Sequence, residues 1–137
     1  MKFSKATNYA LHTMVYLVQN EVNKSLGVQQ IAETFSVSPT YLSKILTKLV
    51  KAGLIESASG ANGGYRLKRK REDISFLEVI HAIEGVNSLF TGCLNNNDQC
   101  AIQRVMVEAE GQMEEYLKNK KLIDVSIHSE IMASHSS

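Results

Sequence analysis

Apolar residues recur at helical spacing through the first fifty positions. Ala6, Tyr9, Ala10, Met14, Leu17 and Val18 return every three or four residues. That spacing predicts a helix over 4–20 with Ser4 as its N-cap and one face in a core. Turn residues in "NEVNKSLG" separate it from a short second helix, "VQQIAETF", whose Ile31, Ala32 and Phe35 face inward. "SVSP" ends that helix and starts the next: Ser38 can cap, and Pro39 takes the first helical position, where a missing N–H costs nothing. Leu42, Ile45, Leu46, Leu49 and Val50 then form one apolar stripe along "PTYLSKILTKLVKAG", which Gly53 closes.

After Gly53 the pattern changes. "LIES" and "GYRLK" flank "ASGANG", which predicts a two-stranded hairpin with a glycine-rich tip. By itself such a tip reads as an ordinary hairpin turn. Following two helices joined by a tight turn, it reads as the wing of a winged helix-turn-helix. "DISFLEVIHAIEG" predicts a capped helix with Phe76, Leu77, Val79, Ile80 and Ile83 apolar, and with His81 as a packing or surface residue. "VNSLFTGCLNNNDQC" reads as loop.

Asp98 can then cap a long helix, "DQCAIQRVMVEAEGQMEEYLKNK". Its Ile102, Val105, Met106, Ala109, Met113, Tyr116 and Leu117 share one face at near-heptad spacing, with acidic residues opposite. So small a domain cannot cover that face fully. A helix from a second copy is the expected cover, and packing on the chain's own first helix is the alternative. The tail "ASHSS" has no core residues and is expected to fray. The expected fold is mainly α: a winged helix-turn-helix DNA-binding domain over 1–84 with a two-stranded β wing, a sensor loop over 85–100, and a long dimerisation helix with its tail over 101–137.

Length and composition agree with this plan, since 137 residues at 44% hydrophobic suit one domain or a small domain with a helical appendage. The net charge of +1 conceals an asymmetry. Residues 1–71 hold eleven Lys and Arg against three Glu, a net of +8, which leaves the remainder at −7. A basic front with an acidic back suits a polyanion partner. The plainer alternative is that these cations merely solvate helix faces. Arg66, Lys68, Arg69, Lys70 and Arg71 crowd six positions directly after the glycines, so flexible backbone can approach a surface while charge meets phosphates. No apolar run approaches the roughly 20 residues a membrane helix needs, and polar residues interrupt the opening segment. No membrane partner is expected, and the expected location is cytoplasmic.

The chain has two cysteines, Cys93 and Cys100. A disulfide between them would close a short loop with little chain-entropy gain in a reducing compartment, so any role they have is chemical rather than a staple. No histidine or carboxylate pattern accompanies them as an activated nucleophile would require, so an enzyme is not expected. A winged-helix module that binds protein would call for a weakly basic front, unlike this one.

Three blocks carry a family resemblance: "MKFSKATNYALHTMVYL", "IAETFSVSPTYLSKILTKLVKAGLIESASGANGGYRL" and "ISFLEVIHAIEG". Together they resemble the Rrf-two family of bacterial transcription regulators over nearly the whole chain. The most specific stretch is the third helix running into the G-x-x-G-G-Y wing. The resemblance implies a homodimeric repressor on a partly palindromic double-stranded operator, with the loop before the long helix as sensor. It places DNA contacts at Ser38, Thr40, Tyr41 and Lys44, with Lys48 farther along the helix. On the wing, the residues themselves point to contacts at Asn62, Gly63, Gly64, Arg66 and Lys68. The near-heptad face of the long helix supplies the expected dimerisation residues, Ile102, Val105, Met106, Ala109, Met113 and Tyr116.

The chain also departs from the family pattern. Ser59 stands where many members have an arginine that enters the minor groove. Cluster-binding members usually carry three cysteines in the sensor loop; Cys93 and Cys100 match the first and last, and Gln103 stands where a histidine is usual. The expectation is no metal site, no cofactor and no stable iron-sulfur cluster. A cluster shared between two chains is the alternative. Two thiols near a helix N-terminus can instead form a redox switch, because the positive helix end favours thiolate. A further alternative is that they have no sensing role and that another protein or a small molecule supplies the input.

Overall fold

Ser4 caps the first helix: its hydroxyl accepts from the Thr7 amide at 3.3 Å, and α1 (Lys5–Gln19) follows. The computed structural model describes residues 3–20, 24–61, 63–89 and 100–126. Ala10, Met14, Leu17 and Val18 of α1 are buried, and the helix is the core's axis, packed against the third, fourth and sixth helices of the chain. α2 (Val28–Phe35) ends where Ser36 turns left-handed (φ 53°). α3 (Pro39–Lys51) begins at Ser38, whose side chain accepts from the Tyr41 amide at 3.1 Å. Leu42, Leu46 and Leu49 of α3 are fully enclosed. Each such side chain contributes about 1.5–3 kcal/mol by leaving water. Gly53, at φ 77°, makes the left-handed exit and turns the chain into the hairpin.

The hairpin is β1 (Ile55–Ala58) paired antiparallel with β2 (Gly64–Leu67), with Ile55 opposite Leu67 and Glu56 opposite Arg66. A third piece of extended backbone joins it. The Leu26 amide donates to the Tyr65 carbonyl at 2.9 Å and the Tyr65 amide to the Leu26 carbonyl at 2.7 Å, just before α2 begins. The wing is thus tied to the helix-turn-helix by backbone. A 3-10 turn over Arg71–Asp73 leads into α4 (Phe76–Glu84), which opens on a full capping box: the Ser75 hydroxyl accepts from the Glu78 amide, and the Glu78 carboxylate accepts from the Ser75 amide.

α5 (Ala101–Asn119) has Cys100 as its N-cap, two residues beyond the expected Asp98, which lies outside the described residues. The Cys100 backbone is extended, and its carbonyl receives the Arg104 amide at 3.1 Å, so the helical ladder begins there. None of the 19 residues of α5 is buried. Met113 and Leu117, one turn apart, pack on Leu77 and Ile80 of α4, whereas the expected alternative was packing on the first helix. α6 (Leu122–Ser126) then returns to the main core, with Leu122 fully buried and its amide bonded to the Ile74 carbonyl. Among the described residues no helix is long and apolar enough to cross a membrane.

Candidate nucleic-acid interface

The exposed side of α3 follows from its buried side. With Leu42, Ile45, Leu46 and Leu49 turned inward, helical periodicity turns Thr40, Ser43, Lys44, Thr47 and Lys48 outward. Thr40, Ser43, Lys44 and Thr47 line a depression of about 420 Å³ with Val28 and Pro39, at the junction of α2 and α3. The family resemblance does not point to Ser43 and Thr47, although hydroxyls at 40, 43 and 47 follow the same helical period as the leucine stripe. Short hydroxyls and a lysine on one helix face can reach phosphates and base edges in a major groove. Lys48 and Lys51 occupy the last turn, where the helix dipole favours cations.

Two of the expected contact residues have other partners here. The Ser38 hydroxyl accepts from the Tyr41 amide, so its lone pair holds the helix start. The Tyr41 ring is half-buried and meets Tyr9 of α1 edge-on, with centroids 5.8 Å apart at 80°. Tyr41 packs against the core more than it projects from it.

On the wing, strand alternation divides the residues. Tyr65 and Leu67 lean on the core, which puts Arg66 on the outer face with its cross-strand neighbour Glu56. Gly64 sits at φ 138°, and a Cβ there would lie 2.6 Å from the Leu26 carbonyl, so the glycine permits the wing's backbone bridge. A Cβ at Gly63 would collide with the Ala58 carbonyl. Both glycines have a packing reason inside the hairpin. Asn62, expected at the tip, lies outside the described residues.

The five cations of the basic strip are not equivalent. Arg66 Nε bonds Glu56 Oε1 at 3.0 Å. Arg69 pairs with the Glu78 carboxylate and donates to the Asp73 carbonyl at 3.3 Å. Arg71 donates to the Asn20 carbonyl at 2.9 Å. Each arginine is therefore engaged by the protein, whereas Lys68 and Lys70 are exposed and follow the wing strand. Burial works to raise the pKa of Glu78. The hydrogen bonds from Arg69 and Ser75 and the guanidinium charge outweigh it and hold the carboxyl below its ordinary value.

The segment that leaves α4 is pinned at both sides. Glu84 Oε2 accepts from the Ser4 amide at 3.1 Å and from the hydroxyls of Ser4 and Thr7, joining the end of α4 to the start of α1. Glu110 of α5 accepts from the Ser88 hydroxyl at 2.7 Å and from the Leu89 amide. These bonds lower its pKa, the Ser88 bond most of all. Cys93 lies outside the described residues, and Cys100 stands half-buried at the head of α5. Ile102, Val105, Met106, Ala109 and Tyr116 are exposed along α5, with Ile102 at 68% and Val105 at 64%. Val107 is also exposed, at 50%, but helical periodicity sets it on a different side of α5 from this stripe.

A family model for Rrf2, described as an iron-dependent transcriptional regulator, matches residues 3–127. The chain belongs to the Rrf2 family. It is 33% identical over 116 residues to the transcriptional regulator NsrR of Shouchella clausii, covering 80% of this chain and 77% of that one. Its fold is similar to that of CymR, the global cysteine regulator of B. subtilis, with a TM-score of 0.81 at 26% identity over 93% of this chain and 98% of the other. It is likewise similar to an oxidised form of Staphylococcus aureus CymR, with a TM-score of 0.76 at 28% identity over 92% and 96%. The chain is thus an Rrf2-type transcriptional regulator with a winged helix-turn-helix, and DNA binding is the activity its family implies.

The family description implies iron, and the donor set can be weighed against it. Fe–S clusters are held by about four thiolate-like ligands, and this chain has two cysteines in all. Gln103, on the first turn of α5 beyond Cys100, is a poor metal ligand. Two thiols in one chain fall short of the four thiolates of an all-cysteine cluster site.

Proposed function

We propose that this regulator is a homodimeric repressor that reads a partly palindromic operator with α3. Thr40, Ser43, Lys44 and Thr47 meet base edges and nearby phosphates in the major groove, while Lys68 and Lys70 bind phosphates beside the wing. The observation that carries this reading is the row of hydroxyls and lysine open on α3, on the same molecule as two exposed wing lysines. Residues 1–84 contact DNA, 85–100 sense the signal, and 101–137 carry the dimer helix, with α6 returning to the core. The dimer assignment is supported by the exposed apolar side chains of α5, a surface of the kind that marks an interface. Catalysis plays no part in this reading, and the site of action is the cytoplasm.

The sensing element in this reading is the thiol pair Cys93 and Cys100, without a resident cluster. It is supported by the two-cysteine donor set, by the place of Cys100 at the positive end of α5, and by the similarity to a CymR solved in an oxidised form. Selection of binding sites from a random duplex pool tests the DNA-reading claim. One enriched sequence with partial two-fold symmetry is expected, and a pool that enriches nothing at low salt would contradict it.

A further inference from the structure

Glu56 and Arg66 face each other across the wing, and the pair sits on the side of the hairpin turned away from the core. Tyr65 and Leu67, the residues either side of Arg66, lean inward, so Arg66 and Lys68 project outward together. Glu56 is opposite Arg66 in the strand register, and the Arg66 Nε bonds its Oε1 at 3.0 Å. Both side chains stay about two-fifths exposed, at 41% and 42%, so water and ions reach the pair. An exposed pair of this kind adds little to folding stability. Its effect on a polyanion is larger. Glu56 is one of three acidic residues in a front that otherwise carries eleven cations, and it lies directly beside the wing's charge.

From this we infer that Glu56 is an affinity-setting residue: it withholds Arg66 from the DNA backbone and so lowers the wing's sequence-independent grip. The inference rests on the DNA-binding reading above. A guanidinium already bonded to a carboxylate meets a phosphate only by exchanging one anion for another, and the displaced carboxylate then faces the phosphates unpaired. Lys68 and Lys70 are left as the wing's freely available cations among the described residues. Because every phosphate contact strengthens all sequences equally, a weaker wing grip leaves a larger share of the binding to α3, where bases are distinguished. Glu56 thereby lowers operator and random-duplex affinity by one common factor and leaves their ratio to α3.

The test uses the full chain and a fluorescent random-sequence duplex titrated at several salt concentrations. Glu56→Gln should bind the random duplex roughly fivefold tighter at low salt, the attraction of one freed unit charge for a phosphate about 4 Å away in water. The salt dependence should steepen by about 0.9 in log–log slope, one additional phosphate neutralised. Glu56→Ala removes the same charge by a different side chain and should do the same. Glu56→Gln combined with Arg66→Gln should lose the gain, which ties it to the released guanidinium. If the wild type binds and neither Glu56 variant binds tighter, or if the double variant keeps the gain, the inference is overturned while the DNA-binding reading stands. A wild type with no affinity for any duplex at low salt would defeat both.

Discussion

Leu26 and Tyr65 exchange two backbone hydrogen bonds, of 2.9 and 2.7 Å, and through them the wing is tied to the segment that leads into α2. The hairpin and the helix-turn-helix therefore present their exposed residues as one surface. The bridge depends on Gly64, whose φ of 138° and absent Cβ let β2 lie against the Leu26 carbonyl.

Gly64→Ala should break that bridge. The left-handed strain and the collision with Leu26 together cost roughly 1–3 kcal/mol, and the wing should detach before the helices unfold. The expected result is a modest fall in melting temperature with a larger loss of duplex affinity. Hydrogen exchange at the Leu26 and Tyr65 amides checks the mechanism: both should lose protection in the variant. Unchanged protection would place the role of Gly64 elsewhere.

The apolar stripe of α5 divides in two, and its two parts should respond differently to charge. Val105 and Met106 are exposed, so Val105→Glu or Met106→Glu should leave the protomer folded and shift a dimer to monomer in sedimentation. Met113 packs on Leu77 and Ile80 within the protomer. Met113→Glu should lower the melting temperature as well, by the equivalent of about 1–3 kcal/mol. An unchanged dimer mass in the first two variants would move the interface off this face.

Glu78 gives the fold an acid-side dependence. Its pKa is lowered in the folded protein, so its contribution to stability is present above the unfolded carboxylate value of 4.5 and fades as pH falls through the folded value. Wild type should therefore be more stable than Glu78→Gln near neutrality, and thermal melts from about pH 6 to about pH 3 should show the gap closing on the acid side. A gap that stayed constant across that range would mean the carboxylate's charge contributes nothing.

Several elements are legible in the sequence because their causes are local. Ser4, Ser38 and Ser75 each cap a helix by accepting from an amide three residues on, a signal readable from spacing alone. The leucine stripe of α3 and the glycine exit at Gly53 are equally local. What the sequence withholds is set by distant contacts. α6 is five residues long, too short for periodicity, and is held by the burial of Leu122 against other elements. Tyr41 sits among Thr and Lys and reads as polar, until Tyr9 of another helix is seen to meet its ring. Arginines and lysines of the basic strip carry the same charge in a sequence. Only geometry separates Arg66, Arg69 and Arg71, held by protein acceptors, from Lys68 and Lys70. Met113 keeps the heptad spacing, yet it faces α4 of its own chain.

The thiol reading makes an optical prediction. Protein purified without oxygen should be colourless and should bind DNA without metal, because two cysteines per chain hold a cluster poorly. Oxidant should form a disulfide, followed by mass, and should change duplex affinity in parallel, with Cys93→Ser and Cys100→Ser abolishing both effects. A brown protein whose iron and sulfide survive anaerobic gel filtration would refute it.

The central claim is that α3 discriminates between sequences while the wing lysines hold any duplex. Affinities for the selected operator and for a random duplex, measured side by side on two variants, test it most directly. Thr40→Ala with Lys44→Ala should cost the operator roughly 1–3 kcal/mol for each base interaction removed while leaving random duplex far less affected. Lys68→Gln with Lys70→Gln should weaken both duplexes by the same factor and flatten the salt dependence by about 0.9 for each phosphate no longer neutralised. If instead both double variants reduced operator and random-duplex binding by one common factor, α3 would not be the reading helix and the account would be contradicted.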